Sequence, residues 1–362
     1  MIGRSADLVS LALRDPVALP GWQPAQWELL VRQARSANLI SKLAQTLDDA
    51  GLLDSIPAAP RAHFQAALIV AGAHVDAVRR EVSYIRAALA DIDVDVVLLK
   101  GAAYLLAQLP AGRGRIFSDI DILVPKEALP VVEGELMRHG WMTTHHNAYD
   151  QRYYREWMHE LPPMRHVKRL TVVDVHHAIL PSTARLKPNA PKLMAASLPI
   201  VEMARMRVLA PADMVLHSAT HLFYNEELSH GLRDLSDLDA LLRDFGRTMG
   251  FWSALAARAT EQDLARPLYY ALRYASRILE TPMPAEIVTA LKHAAPPALV
   301  GPLMDALFDQ ALRPPHPSAA TPLTALARWL LYVRAHWLRM PPLLLMRHLT
   351  IKALRKRDEG PD

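Results

Sequence analysis

The sequence predicts an α+β protein, in which a small mixed β-sheet is flanked by helical regions on its N-terminal and C-terminal sides. Before residue 90, apolar residues recur at three-, four- and seven-residue intervals, which is typical of an amphipathic helix. Between residues 91 and 180, short alternating or wholly apolar runs indicate strands. Only helical patterns follow Pro181, so no strand is expected beyond it.

The chain is predicted to divide into four parts. Residues 1–90 form a helical region, 91–180 an α/β core, 192–312 a helical domain and 323–357 a pair of basic amphipathic helices. The first part is expected to hold one helical stretch from Trp22 to about Leu47 and a long helix at 61–90. The core is expected to hold strands at 92–99, 116–124, 141–145 and 170–176, and helices at 102–109 and 126–139. The remaining helices are predicted at 212–223, 232–245, 251–261, 265–279, 284–292, 299–312, 323–339 and 343–357.

The composition excludes several kinds of chemistry. The 362-residue chain is 51% hydrophobic and 22% charged, as in a globular protein, and it has no cysteine. Disulfides, cysteine-based zinc sites and thiolate catalysis are therefore excluded. The sequence does not open on a basic leader with an apolar run, and it has no long uncharged apolar stretch. We expect a cytoplasmic protein, either free or peripheral at the inner face of the membrane.

Asp119 and Asp121 are two residues apart on a predicted strand, so their carboxylates point to the same side. Two adjacent carboxylates repel each other unless a cation lies between them, and Mg²⁺ prefers such oxygen ligands. A third acid, Asp174, stands alone in a later apolar strand, where burying it is costly unless it binds something. An Asp-x-Asp pair alone also occurs in ordinary turns, so the strand context carries the prediction.

A second feature is the turn Lys100-Gly101 between a predicted strand and a helix. A glycine there lets backbone N–H groups approach a phosphate, and the lysine adds a positive charge. The alternative is a tight turn with a solvated lysine.

Three segments in this order resemble the uncharacterised nucleotidyltransferase family of the DNA polymerase β-like superfamily: Leu98–Gly101, Arg115–Val124 and Val173–His176. The helical segments 211–221 and 233–237 are also similar to that family, so the resemblance covers roughly residues 60–250. It implies a nucleotidyltransferase core that moves a nucleoside monophosphate from ATP or another NTP to a hydroxyl acceptor, which the sequence does not identify.

The resemblance also implies roles for seven residues. Asp119, Asp121 and Asp174 would be catalytic and would bind Mg²⁺ or Mn²⁺. Lys100 and Gly101 would bind the phosphates, with help from Arg115 and Ser118. The superfamily has Gly-Ser or Gly-Gly at the turn, whereas this chain has Gly101-Ala102 and lacks that hydroxyl. The alternative is therefore a weakly active or inactive NTP-binding or interaction protein.

Several histidines and one predicted helix, 232–245, also carry candidate residues. His217 and His221 are four residues apart on a predicted helix, and we interpret them as core or supporting residues rather than metal ligands. Arg233 and Asp237 are expected to form an i,i+4 ion pair, although Asp237 could equally be a buried structural acid. Other histidines lie near the α/β core, and one of them could touch substrate: His145, His146, His166, His176 and His177.

The C-terminal stretch 324–357 has eight Lys or Arg residues and no Asp or Glu. Its apolar residues alternate with these cations at helical spacing, as in helices that lie on anionic membranes or follow RNA. The third and favoured interpretation is a closing helix of the domain with a solvated basic rim.

Overall fold

The computed structural model describes residues 7–144, 151, 154–155, 157–224 and 227–341. We number its helices in chain order as α1 (Leu8–Arg14), α2 (Pro24–Ser36), α3 (Ile40–Asp49), α4 (Ala58–Ala88), α5 (Lys100–Leu106), α6 (Leu129–Arg138), α7 (Ala190–Ala195), α8 (Pro211–Tyr224), α9 (Gly231–Phe245), α10 (Phe251–Glu261), α11 (Ala265–Leu279), α12 (Ala285–Ala290), α13 (Val300–Ala311) and α14 (Thr324–Arg339). The strands are β1 (Val96–Leu98), β2 (Asp119–Leu123), β3 (Trp141–Thr143), β4 (Met164–His166), β5 (Val172–His176), β6 (Leu198–Pro199) and β7 (Met206–Val208).

The seven strands form one mixed sheet in the order β3-β4-β5-β2-β1-β7-β6. Strand β2 lies at its centre, parallel to β5 and antiparallel to β1. Every residue of β1 is buried, as expected for a strand covered on both faces. The α+β class with a mixed sheet flanked by helices is confirmed.

The prediction that no strand follows Pro181 is wrong. Strand β7 pairs in parallel with β1, and β6 pairs antiparallel with β7, so the sheet extends beyond residue 180. These strands are only three and two residues long, too short for a periodic pattern to be distinguished from a loop. The sequence held a weak signal, the alternation of apolar Met206 and Val208 with charged Arg207, and the structure buries the two apolar residues but not the arginine. The short strand β4 was missed for the same reason.

The predicted helical stretch from Trp22 to Leu47 is two helices, α2 and α3. The chain turns between them at Asn38, whose φ of 56° is left-handed and ends a helix. The long helix at 61–90 is confirmed as α4. Its buried Glu81 accepts hydrogen bonds from Arg169 and Thr171, which ties this helix to the loop before β5.

The predicted helices after residue 210 are confirmed within a few residues at each end, as far as Arg339. The predicted helix at 343–357 lies outside the described residues, as does part of the predicted strand at 141–145. One continuous apolar cluster runs from Leu8 in α1 to Leu331 in α14, so the helical regions and the sheet share a core. None of the helices within the described ranges is both long and apolar enough to cross a bilayer.

Candidate active site

The turn from β1 to α5 brings Lys100 to the centre of the sheet. Leu99 donates its N–H to the carbonyl of Asp121, which holds the end of β1 against β2. Lys100 then adopts a left-handed φ of 47°, a conformation that costs a non-glycine residue about 1 kcal/mol. Such strain is found at functional sites, where surrounding structure holds the residue in place. Here the strained residue directs its ammonium group toward Asp121.

A cleft beside the Lys100 turn is lined by Lys100, Gly101 and two of the predicted acids, Asp119 and Asp121. Both acids come from strand β2 and face this cleft, which agrees with their spacing of two on a strand. Asp174 lies beside Asp121 on the neighbouring strand, because β2 and β5 pair in parallel with these two residues opposite each other. The three acids are therefore brought together at the centre of the sheet.

Asp121 is buried and meets two nitrogen atoms through one oxygen. The Lys100 Nζ is 2.7 Å from its Oδ1, and the His176 Nε2 is 3.0 Å from the same Oδ1. Burial works to raise the pKa of this carboxyl, but Lys100 and His176 outweigh it and hold the pKa well below its usual range. Burial likewise opposes the charged amine of Lys100, yet Asp121, Asp119 and Asp174 together raise its pKa. The ammonium group thus acts as an internal cation among the three acids.

Asp174 differs from Asp121 because it lacks such compensation. Its Oδ1 is buried and has no hydrogen-bond partner within the described part of the chain. Burial, followed by the charge of Asp121, raises the pKa of Asp174 to about 7. An unpaired buried carboxyl oxygen costs roughly 1–3 kcal/mol, so this atom is available to a ligand or a proton.

Three residues next to the acids form a group that sequence reasoning did not assemble. His176 ends β5, and its Nδ1 lies 3.1 Å from the Glu160 Oε2 while its Nε2 reaches Asp121. Burial opposes a charged imidazole, but Glu160 and Asp121 raise the pKa of His176. The ring of His159 lies 5.4 Å from that of His176, centroid to centroid. His176 was one of the candidate histidines, whereas Glu160 and His159 lie in a segment without strand or helix periodicity and gave no signal beyond their adjacency.

Arg115 is in the cleft wall but is bound to an acid. Its Nε lies 2.8 Å from the Asp237 Oδ2, and the Lys42 Nζ lies 2.7 Å from the Asp237 Oδ1. The expected ion pair of Arg233 with Asp237 is wrong. Arg233 pairs instead with Asp234, 2.9 Å away. The rotation of α9 turns Asp237 into the interior, where only 3% of it is exposed, so it is the buried structural acid.

Packing alone requires a glycine at position 101. A Cβ at this position would lie 2.2 Å from the Arg115 Nη1 and 2.7 Å from the Phe117 Cδ1. The glycine therefore lets Arg115 pass over the turn, whether or not a phosphate also approaches it. The following residue, Ala102, is buried and has only a methyl side chain, so this position offers no hydroxyl group to the cleft.

Helices α8 and α9 provide the opposite wall of the cleft through Ser218, His221 and Arg233. Ser218 shares a hydrogen bond with the Tyr104 hydroxyl of α5. The cavity volume is about 90 Å³, well below the roughly 300–1,000 Å³ of pockets that enclose a whole ligand. Part of a nucleoside triphosphate would therefore have to lie outside this cleft.

The remaining predicted residues have clear positions. The exposed Ser118 donates its hydroxyl to the Asp119 Oδ1 at 2.9 Å, which orients that carboxylate. His217 is buried, and burial together with Lys100 lowers its pKa to about 3, so it is neutral. His166 accepts backbone hydrogen bonds from Lys168 and Arg169 and is structural. His145 and His146 lie outside the described residues.

The donor set at the centre of the sheet fits a hard divalent cation. Asp119, Asp121 and Asp174 offer carboxylate oxygens, and one of these, the Asp174 Oδ1, is buried without a partner among the described residues. A cation already lies among the three acids in the form of the Lys100 ammonium group. Mg²⁺ and Mn²⁺ are the ions whose ligand preference matches such a set.

Comparison with known proteins adds one finding. The model of a protein family described as "uncharacterised nucleotidyltransferase" matches residues 23–280. No curated protein and no solved structure matches the chain. The matched range includes β1, β2 and β5, and therefore the three acids, and it extends on both sides beyond the range of 60–250 in which the resemblance was found.

Proposed function

The chain belongs to the uncharacterised nucleotidyltransferase family, and from that membership we propose that it transfers a nucleoside monophosphate from an NTP to a hydroxyl acceptor. The observation that carries the proposal is the position of Asp174 opposite Asp121, with its Oδ1 buried and without a partner among the described residues. A structural acid would have its oxygens paired, as Asp237 does.

In this proposal Asp119, Asp121 and Asp174 hold Mg²⁺ or Mn²⁺. The bound ions would supply Lewis acidity, which stabilises charge on the α-phosphate and lowers the pKa of the acceptor hydroxyl. Ser118 keeps the Asp119 carboxylate oriented through its hydrogen bond. The Asp174 carboxylate, opposite Asp121 on the neighbouring strand, would accept the acceptor's proton.

Lys100 has two positions in the proposed cycle. Without nucleotide, its ammonium group neutralises Asp121 at 2.7 Å. With metal ions held by the three acids, the amine would be released from Asp121 and would contact the β- and γ-phosphates, which also carry negative charge. Gly101 and the guanidinium of Arg115 line the same cleft and would contact those phosphates. This exchange explains how a lysine can lie between acids that are proposed to bind metal.

The test is transfer of label from an NTP carrying ³²P at its α-phosphate. The full chain is incubated with Mg²⁺, the labelled NTP and a cell lysate as the source of acceptors. We expect label in a macromolecule or small product, loss of that label in Asp119→Ala, and no loss in Asp93→Asn, which changes an exposed acid just before β1. If the NTP binds but neither label transfer nor pyrophosphate release occurs, the chain is a non-catalytic NTP-binding protein and the enzyme proposal fails.

A specific observation also favours a location on the membrane surface. Helix α14 turns Arg328 and Arg334 inward, where they donate to the carbonyls of Arg313 and Phe223. In the described part of this region, up to residue 341, exposed apolar side chains line α14 and its N-terminal end: Leu323, Leu326, Trp329, Tyr332, Val333 and Trp337. RNA requires exposed cations, whereas exposed tryptophan and leucine suit the headgroup region of a bilayer.

We propose that this face docks on an anionic bilayer, and that the cations of residues 339–357 add electrostatic attraction. Sedimentation with phosphatidylcholine vesicles containing phosphatidylglycerol tests it. Binding should fall at least fivefold in the Trp329→Ala/Trp337→Ala double variant and stay unchanged in Met249→Ala, a fully exposed apolar residue elsewhere. Equal binding by all three proteins, or no binding, would reject the membrane location.

A further inference from the structure

We propose that His159, Glu160 and His176 bind a divalent transition-metal ion of the Zn²⁺ type, at a site separate from the three aspartates. One ligand atom from each residue, two imidazole nitrogens and one carboxylate oxygen, can be chosen so that all lie within 4.8 Å of one another. A zinc ion bonds nitrogen and oxygen ligands at about 2.0–2.2 Å, so modest side-chain rotation brings three such atoms onto one ion.

The orientation of His176 suits a ligand. Its Nε2 lies 3.0 Å from the Asp121 Oδ1, so this nitrogen donates a proton to a carboxylate and Nδ1 is left to face Glu160 at 3.1 Å. Metal-binding histidines commonly donate their other ring N–H to a carboxylate, which fixes the tautomer and the ring orientation. A metal ion between His176 and Glu160 would take the place of a proton on Nδ1.

His159 provides the second observation. Its Nδ1 is buried and has no hydrogen-bond partner within the described ranges. A buried ring nitrogen without a partner costs free energy that a bound ion would recover. His159 and His176 approach each other with their rings tilted by 33°, and the Glu160 side chain beside them is 20% exposed, which gives an ion a path from solvent.

The ligand types separate this site from the aspartate site. Two imidazoles and one carboxylate are the protein ligands of open zinc sites, in which water occupies the fourth position. Three carboxylates instead favour Mg²⁺ or Mn²⁺. The two sites meet at the His176–Asp121 hydrogen bond, so an ion at His176 would help to position the Asp121 carboxylate. His159 and Glu160 are then positioning residues for the proposed nucleotidyl transfer, and their metal site is independent of whether transfer occurs.

Direct metal binding tests the inference on the full chain. The protein is stripped with a chelator, titrated with ZnCl₂ by calorimetry, and analysed for bound zinc after buffer exchange. We expect one Zn²⁺ per chain, with affinity reduced at least tenfold in His159→Gln and in Glu160→Gln. His293→Gln, an exposed histidine far along the chain, and Asp119→Asn should bind zinc like the wild type.

Cobalt gives a second readout that does not depend on activity. Co²⁺ in place of zinc should give visible absorption bands of a four- or five-coordinate ion, and His159→Gln should lose them. Circular dichroism checks that the variants fold. The inference is overturned if the stripped wild type retains no stoichiometric zinc, a result that needs no variant, or if His159→Gln and Glu160→Gln bind zinc as tightly as the wild type. Zinc titration and the Co²⁺ spectrum do not depend on nucleotidyl transfer, so a failed label-transfer assay would not affect this inference.

Discussion

Two buried aspartates, Asp121 and Asp237, look alike in isolation but differ in their surroundings. Each is only 3% exposed, and each is bound by a lysine and by one other nitrogen-containing side chain. At Asp237 the two partners occupy different oxygens, Lys42 on Oδ1 and Arg115 on Oδ2. At Asp121 both partners, Lys100 and His176, fall on Oδ1.

The balance of charge around the two acids differs more than their hydrogen bonds. At Asp237, the side chains of Lys42 and Arg115 face one carboxylate, and they lower the pKa of Asp237 although burial opposes this. Around Asp121, the carboxylates of Asp119 and Asp174 act on the same lysine, and Asp174 has a buried unpaired oxygen. The first cluster is satisfied by the protein itself and joins α3, the loop before β2 and α9. The second carries excess negative charge that a metal ion would neutralise.

The largest expected effect is on activity at the aspartate site. Asp121→Asn keeps an oxygen acceptor for Lys100 and His176 and relieves repulsion with Asp174, so the fold should survive. The same change removes a proposed metal ligand, and transfer should fall by about 10²–10³-fold or more. Initial rates with α-labelled NTP, beside circular dichroism, measure this. A folded Asp121→Asn protein with wild-type rates would contradict the proposed role of this acid.

The matched change at Asp237 should affect stability instead. Asp237→Asn leaves the charges of Lys42 and Arg115 buried without a counter-ion, and breaking such a pair costs roughly 3–5 kcal/mol. Urea unfolding is the appropriate measurement. If Asp237→Asn unfolds at the wild-type urea concentration but loses transfer, then Asp237 belongs to the active site and the contrast between the two clusters is wrong.

A smaller effect is expected where the two clusters touch, at Gly101. The added Cβ of Gly101→Ala would collide with the Arg115 Nη1 and Phe117, and overpacking of this kind costs about 1–3 kcal/mol. Gly134→Ala is the control, because a Cβ at Gly134 would meet nothing within 4 Å. The measurement is the denaturant midpoint of each variant. An unchanged midpoint for Gly101→Ala would show that Arg115 can move aside without loss of stability.

The most gradual effect is the pH dependence contributed by Asp174. Its pKa is about 7 in the folded protein, mainly through burial, against roughly 3.9 in an unfolded chain. Between these values the folded state holds a proton that the unfolded state has released, so this group makes stability fall as pH rises from about 4 to about 7. Chelator-treated Asp174→Asn should lack this part of the decline and be more stable than the wild type at pH 7, by up to about 4 kcal/mol for a difference of about three pKa units. Parallel stability curves for the two proteins would contradict the raised pKa.

The features of the aspartate site that depend on local sequence were predicted. Alternation in β2 predicted that Asp119 and Asp121 point to the same side, and Asp174 was predicted as the single acid in an apolar strand. Pairing of β2 with β5 in the register that sets Asp121 opposite Asp174 joins segments about fifty residues apart, and no local pattern encodes it.

The non-local parts could not be predicted in the same way. The partners of Asp237 come from α3 and from the loop before β2, 195 and 122 residues away in sequence, whereas the i,i+4 rule considers only neighbours on the same helix. Glu160 reaches His176 through a single isolated bridge rather than a strand, so it left no periodic trace. The roles predicted for Lys100, Gly101, Arg115 and Ser118 at a phosphate stay predictions.

Metal-dependent nucleotide binding tests the central claim most directly, because it does not require the acceptor. Calorimetric titration of the full chain with a non-hydrolysable NTP is carried out in Mg²⁺ and again in EDTA. We predict binding in Mg²⁺ that weakens at least tenfold in EDTA and in Asp119→Asn, and that persists in His293→Gln. Equal affinity with and without Mg²⁺, or undiminished binding by Asp119→Asn, would contradict the assignment of these aspartates to a metal-nucleotide site.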